Sequence, residues 1–149
     1  MPVFQSTRRV RHSAEQMFAL VADVENYPKF VPLCESLSVR VRRTLDDGRE
    51  VLVADMTVAY SLIRETFTSK VTLDPANNLI TVEYLDGPFR YLENRWMFKP
   101  IDDGHSEVGF WISYEFKSRT LGALMGAMFD RAFRKFAAAF EARADAVHG

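Results

Sequence analysis

The sequence predicts an α+β fold, a curved antiparallel sheet of about seven strands wrapped on a long C-terminal helix, with one or two short helices after the first strand. Three observations lead there. Between Ser118 and Val147, the residues Leu121, Leu124, Met125, Met128, Ala132, Phe136, Ala139 and Phe140 recur at helical spacing. Arg131, Arg134, Lys135, Glu141 and Arg143 fall mostly on the other side, so the stripe is one face of an amphipathic helix. The chain before it, from Ser36 to Phe116, is β-patterned, with turn signals separating short runs, which argues a meander rather than βαβ units. No comparable second helix exists for the stripe to pack on, so it must bury against the sheet. One helix does not fill the hollow of a strongly curved sheet, and the leftover space is where function is expected.

The elements follow in order. Val3 to Val10 reads as an opening strand. Ser13 is placed to cap a helix, with Glu15 and Gln16 in its first turn and Met17, Phe18, Leu20, Val21 and Val24 as its apolar face. Pro28 and Pro32 bracket "NYPKFVPLC", an irregular or one-turn segment that proline keeps short. Leu37, Val39 and Val41 then alternate with Ser38, Arg40 and Arg42, and Asp46 to Gly48 forms a hairpin signal. Strands are expected over Val51 to Tyr60, Glu65 to Leu73, Leu79 to Leu85, Phe89 to Phe98 and Glu107 to Phe116. The turns between them fall at "DPANN", "DGP" and "DDGH". Leu92, Asn94, Trp96 and Phe98 share one strand face; Val108, Phe110, Ile112, Tyr114 and Phe116 share another, with Glu107, Ser113 and Glu115 opposite. No repeat or linker interrupts residues 1–149, which read as a single domain.

Composition narrows the function classes. An apolar fraction of 48% and a charged fraction of 26% are typical of a soluble globular protein, and twelve Phe supply much of the area for a core or pocket. A formal net charge of −1 gives no global basic field, so DNA is not an expected partner. The clusters Arg8, Arg9, Arg11 and Arg40, Arg42, Arg43 read as solvated strand faces. A lone cysteine, Cys34, fits a reducing compartment. The opening residues lack the apolar run of a secretory signal, and no stretch approaches the roughly 20 apolar residues of a membrane span. A cytoplasmic location is expected, with any membrane contact peripheral.

Candidate chemistry is sparse. His12, His105 and His148 have no neighbours at metal-ligand spacing and read as incidental surface histidines. No nucleophile elbow or glycine-rich phosphate cradle is present, so neither a catalytic set, a metal nor a required cofactor is expected. Gly122 and Gly126 in "LGALMG" read first as close packing on the sheet and second as a hinge that lifts the start of the helix. Asp130, Arg131 and Arg134 argue against a membrane-dimer motif there. Asn94 and Tyr114, and less so Glu65 and Asp55, sit among apolar strand residues. Each is either hydrogen-bonded in the core, or wet, or fixes a polar head group in a cavity where Trp96 stacks on a flat ring. Met125, Met128 and Phe129 are plain core or an adaptable wall for a flexible hydrocarbon chain.

Four blocks carry a likeness to a known family: "VADVENYPKFVPLC" (Val21 to Cys34), "DGPFRYLENRWMF" (Asp86 to Phe98), "YEFKSRTLGALMGAMF" (Tyr114 to Phe129) and "FEARA" (Phe140 to Ala144). With the element order, they make the chain resemble the coenzyme Q-binding branch of the START-like (Bet v-like) helix-grip proteins. That branch lies within the polyketide cyclase/dehydrase-like superfamily and includes bacterial ribosome-association toxin-like proteins. Leu37 to Arg49 matches only in pattern.

The resemblance implies a lipophilic cavity between sheet and helix that binds ubiquinone or a precursor, an isoprenoid quinone, without an established catalytic triad. It implies a carrier or chaperone role in respiration, with transient peripheral contact at the inner membrane. Tyr27, Pro28, Phe30, Val31, Pro32, Leu33, Pro88 and Phe89 would lie at the mouth, and Trp96 and Phe98 in the wall. Leu92, Asn94, Phe110, Ile112, Tyr114, Leu121, Leu124, Met125, Met128, Phe129 and Phe136 complete the expected ligand-binding set. The rival expectations are a cyclase/aromatase-like enzyme using the same cavity and a translation inhibitor that associates with the ribosome.

Overall fold

Period-two patterning through the middle of the chain builds one seven-stranded antiparallel sheet, in a computed structural model that describes residues 3–60 and 62–148. The strands are β1 (Val3–Val10), β2 (Cys34–Thr44), β3 (Glu50–Tyr60), β4 (Ile63–Asp74), β5 (Leu79–Asp86), β6 (Phe89–Asp102) and β7 (His105–Phe116). Their spatial order is β1-β7-β6-β5-β4-β3-β2, so every neighbour is sequential except that β1 closes beside β7. The helices are α1 (Ala14–Ala22) and the 30-residue α2 (Arg119–His148), with a 3₁₀ segment at Val24–Lys29.

Local chemistry sets the boundaries. Ser13 closes a capping box on α1: its Oγ accepts from Gln16 N and Gln16 Oε1 accepts from Ser13 N, both at 3.1 Å. Ser118 Oγ accepts from Leu121 N at the start of α2. Register shifts interrupt β2 at Cys34/Ser36 and Val39/Val41, the β4–β5 pairing at Thr68/Ser69 and the β6–β7 pairing at Phe89/Tyr91. Such bulges bend strands, and here they curve the sheet around α2. The Val39/Val41 shift also breaks the alternation read from the sequence, leaving Val41 exposed.

The buried face of α2 is Met125, Phe129, Ala132, Phe133, Phe140 and Ala144. Leu124, expected in the stripe, is 56% exposed instead. Leu124 and Phe133 are two and a half turns apart at 3.6 residues per turn, hence on opposite sides of the helix. The larger aromatic surface of Phe133 takes the inward side. The glycines also differ from expectation. A Cβ at Gly122 would meet Phe116 only at 3.8 Å, and one at Gly126 would meet nothing within 4 Å. Close packing on the sheet therefore requires neither, and the softened helix start is the reading left.

His12 is likewise not a surface histidine. It is 6% exposed, with Nε2 2.7 Å from Asp145 Oδ1 on α2, while its carbonyl accepts from the buried Ser106 Oγ at 2.8 Å. With Arg8–Glu141 at 2.7 Å, this ties the edge strand β1 to the C-terminal half of α2.

The glycines generate paired predictions. Gly87 has φ of +142°, and a Cβ there would sit 2.6 Å from Phe67 Cβ and 2.9 Å from its Cα. Gly87→Ala is expected to cost about 2–4 kcal/mol in urea unfolding, since both conformation and space are wrong for a side chain. Gly126→Ala, in open space on a helix, is expected to add about 1 kcal/mol.

Candidate functional site

The concave face of the sheet and α2 enclose an apolar cavity of about 130 Å³. On a scale where one water needs roughly 10–15 Å³, this holds about ten. Three groups of elements supply its wall. The segment after α1 gives Val24, Tyr27, Val31, Pro32 and Leu33. The strands give Leu37, Ala54, Met56, Val58, Phe67, Ser69, Val71, Ile80, Val82, Leu92, Asn94, Trp96, Phe110 and Ile112. Helix α2 closes it with Phe129, Ala132, Phe133, Phe136 and Phe140.

The structure divides the residues singled out from the sequence. Tyr27, Val31, Leu33, Leu92, Asn94, Trp96, Phe110, Ile112, Phe129 and Phe136 line the cavity. Phe89 does not: it is fully buried beyond the wall, stacked on Phe116 at 4.8 Å and edge-on to Tyr114. Tyr114 and Met125 are buried in the core, with Tyr114 5.5 Å from Phe133. Phe98 lies behind Trp96, against Phe18. Phe30 packs edge-on to Phe140 at 5.0 Å and carries Arg143 over its other side. Pro28 and Pro88 stay outside the lining. Leu121 and Met128 are half-buried on the helix flank, and Leu124 faces solvent. Phe89, Tyr114, Phe98 and Phe30 pack on other rings instead, because aromatic side chains bury more area in mutual contact than along an empty wall.

Sequence reasoning missed the contributions of β3, β4 and β5, together with Phe133. The signal was present in the alternation Ala54, Met56, Val58 and Phe67, Ser69, Val71. It was masked because the facing positions include Val53, Ala59 and several threonines, which blur the contrast.

Polar groups in the wall are few. Tyr27 OH donates to Val21 O. Asn94 Nδ2 donates to Trp111 O at 2.9 Å. Ser69, 6% exposed, has an Oγ with no partner among the described residues. Asp55 is taken up on the outer face by Arg40 and Thr68, each at 2.5 Å, and Glu65 lies outside the lining. In the segment after α1, Leu33 has φ of +67°, a conformation disfavoured for a branched residue by about 1–3 kcal/mol. It is held there by Ala59 N donating to Leu33 O at 3.0 Å, and its side chain enters the lining.

Electrostatics keep this interior neutral. Burial, reinforced by the nearby Cys34 and Asp23, pushes the Tyr27 phenol well above its ordinary value. Burial, then Asp130, raises Tyr114, and burial pushes the Cys34 thiol up to about 11. Tyr27 is the sole titratable side chain in the lining among the described residues, and it holds its proton at neutral pH. No group of three His, Cys, Asp or Glu is arranged for a metal among the described residues, nor is any described helix long and apolar enough to cross a membrane.

A stability prediction follows from the raised thiol. The folded chain holds the Cys34 proton more tightly than the unfolded chain, so that contribution is intact below about pH 9 and lost as pH rises toward about 11. The urea midpoint is expected to fall across that window, and Cys34→Ala to shrink the fall; a flat midpoint from pH 8 to 11 would contradict it.

Comparison with known proteins places the chain. It belongs to the polyketide cyclase/dehydrase and lipid transport family, whose model matches residues 10–141. It is 35% identical to the ribosome association toxin RatA of Vibrio cholerae over 94% of this chain and 93% of that protein. It is 31% identical to the coenzyme Q-binding protein COQ10 homolog B of Xenopus laevis over 98% of this chain, which spans 59% of that longer protein. An 18 kDa protein from Caulobacter crescentus, solved in solution, is 38% identical with a TM-score of 0.81, covering 100% of this chain and 99% of that one. A START superfamily protein from Mycobacterium smegmatis shares the fold at 23% identity and a TM-score of 0.80, covering 97% and 98%. The START-like helix grip is thus the architecture of this chain.

Proposed function

We propose that this member of the polyketide cyclase/dehydrase and lipid transport family binds an isoprenoid quinone, ubiquinone or a biosynthetic precursor, and carries or presents it for respiratory electron transport. The observation that carries the reading is the cavity under α2, apolar throughout except for a few groups led by Ser69 and Asn94. Sites for lipids with a polar ring have this composition, a greasy wall with few polar groups. The relative named for coenzyme Q binding supports the same ligand class.

The energetics suit a carrier. Each CH₂ moved from water into the cavity contributes about 0.8 kcal/mol, so a short prenyl segment binds well against water. A bilayer already solvates the tail, so selection rests on ring shape and polar contacts. A cavity of about 130 Å³ houses the ring and the first part of the tail, and the rest leaves by the mouth. That end of the sheet carries the β3–β4 hairpin, the β5–β6 turn, the start of β1 and the first turns of α2. Val3, Tyr60, Leu62, Leu85 and Leu124 are exposed there, suited to transient peripheral contact with a bilayer surface.

An acid–base enzyme in this cavity has little to work with, because Tyr27 is its titratable group and stays protonated. Ribosome association is the second reading, supported by the relatives named for it. Against it, a net charge of −1 lacks the basic footprint that RNA affinity leaves.

Protein purified from quinone-producing cells is expected to yield quinone on organic extraction and mass spectrometry. A two-isoprene ubiquinone is expected to quench the fluorescence of Trp96 in the cavity wall. Ala132→Phe, which fills the hollow from α2, is expected to weaken that binding about tenfold or more while the fold survives. No quinone recovered and none bound would end this reading; sedimentation with ribosomes through moderate salt would favour the second.

A further inference from the structure

We infer that the cavity prefers a ring bearing a hydroxyl, the hydroquinone or a phenolic precursor, over the fully oxidised quinone, an inference that rests on the lipid reading above. It comes from which polar atoms in the wall are already committed. Tyr27 OH is used by Val21 O and offers nothing further as a donor. Asn94 is oriented without ambiguity, because Trp111 O can only accept, so the atom 2.9 Å from it must be the amide nitrogen. The amide oxygen of Asn94 is left without a donor among the described residues, in a side chain that lines the cavity. An amide oxygen can only accept.

Ser69 supplies the second pole. Ser69 is a lining residue, and its Oγ is buried just beneath that surface with no partner among the described residues, so a small rotation of the side chain would bring it to a guest. A hydroxyl both donates and accepts, so Ser69 suits a carbonyl or a hydroxyl equally. Trp96, in the same wall, carries an indole N–H, a donor only. The register places Ser69 opposite Tyr84 and Asn94 opposite Val82, two strands and two residues apart. That separation is about 12 Å between Cα atoms. A ring with two opposed oxygens and a hydrogen bond of about 2.8 Å at each end spans a comparable distance.

The two redox forms meet this set differently. Quinone carbonyls accept from Ser69 and Trp96 but give nothing to Asn94 Oδ1, which is then sealed in an apolar site unsatisfied. Hydroquinone hydroxyls donate to Asn94 Oδ1 and still accept from the other two. A buried acceptor left unmet lowers affinity by about fivefold or more.

The test compares the two-isoprene ubiquinone with its two-electron-reduced hydroquinone, each titrated calorimetrically into the wild-type protein without oxygen. The hydroquinone is expected to bind at least about fivefold more tightly. Asn94→Leu is expected to abolish the difference by weakening the hydroquinone alone, and Ser69→Ala to weaken both forms by a similar factor. Equal binding, or tighter binding of the quinone, overturns the inference while leaving the lipid reading intact. A preference that persists in a folded Asn94→Leu also overturns it. Binding of neither form overturns both. The wild-type comparison decides the matter without any variant.

Discussion

The structure depends on the contact between the aromatic stripe of α2 and the concave face of the sheet. Phe129, Phe133, Phe136 and Phe140 meet Trp96, Phe110, Tyr114 and Phe116 at centroid separations of 4.9 to 6.0 Å, all edge-on or tilted. At about 150–250 Å² of surface per ring, these residues are a large source of apolar burial. Rings are also stiff. They meet one another at fixed angles and cannot flow into every corner of a curved hollow, so an architecture that relies on them holds together and leaves space in the same step.

Much of this was legible in the sequence, and the failures have physical causes. The element order, the cap at Ser13 and the long C-terminal helix follow from periodicity and turn chemistry, which are local. The cavity wall was legible on β6 and β7 because Leu92, Asn94 and Trp96 are interleaved by Glu93 and Arg95, and Val108, Phe110, Ile112 and Tyr114 keep a period of two between Glu107 and Glu115. It was obscure on β3 to β5, where Ala54, Ser69 and Val82 carry little contrast with their neighbours. Leu124 and Phe133 show the limit of helical phasing, since an apolar residue at good spacing still needs a partner surface, and only the folded sheet decides which side has one. The burial of His12 was invisible because its partner Asp145 is 133 residues away.

Charge plays a lesser part in stability. The ion pairs on the outer face, such as Arg64–Glu35 and Arg90–Glu115, are exposed and worth at most about 1 kcal/mol each. Few polar atoms reach the interior, and some of them are uncommitted: Ser69 Oγ and Tyr91 OH are buried without a partner among the described residues, and the Asn94 amide is hydrogen-bonded through its nitrogen. In a neutral, apolar interior with a few open polar positions, any guest would be selected by hydrogen-bond count rather than by charge.

The pairing of β1 with β7 bears on how the chain is made. Val3 faces Ser113 and Val10 faces Ser106, so the first strand has no partner until the last one exists. At about 5–20 residues per second, a nascent chain waits on the order of 5–20 seconds between the two. During that interval the first strand is a loose edge on an emerging polypeptide, able to pair wrongly or to engage a chaperone, and the hollow beneath α2 cannot be closed before α2 itself has emerged.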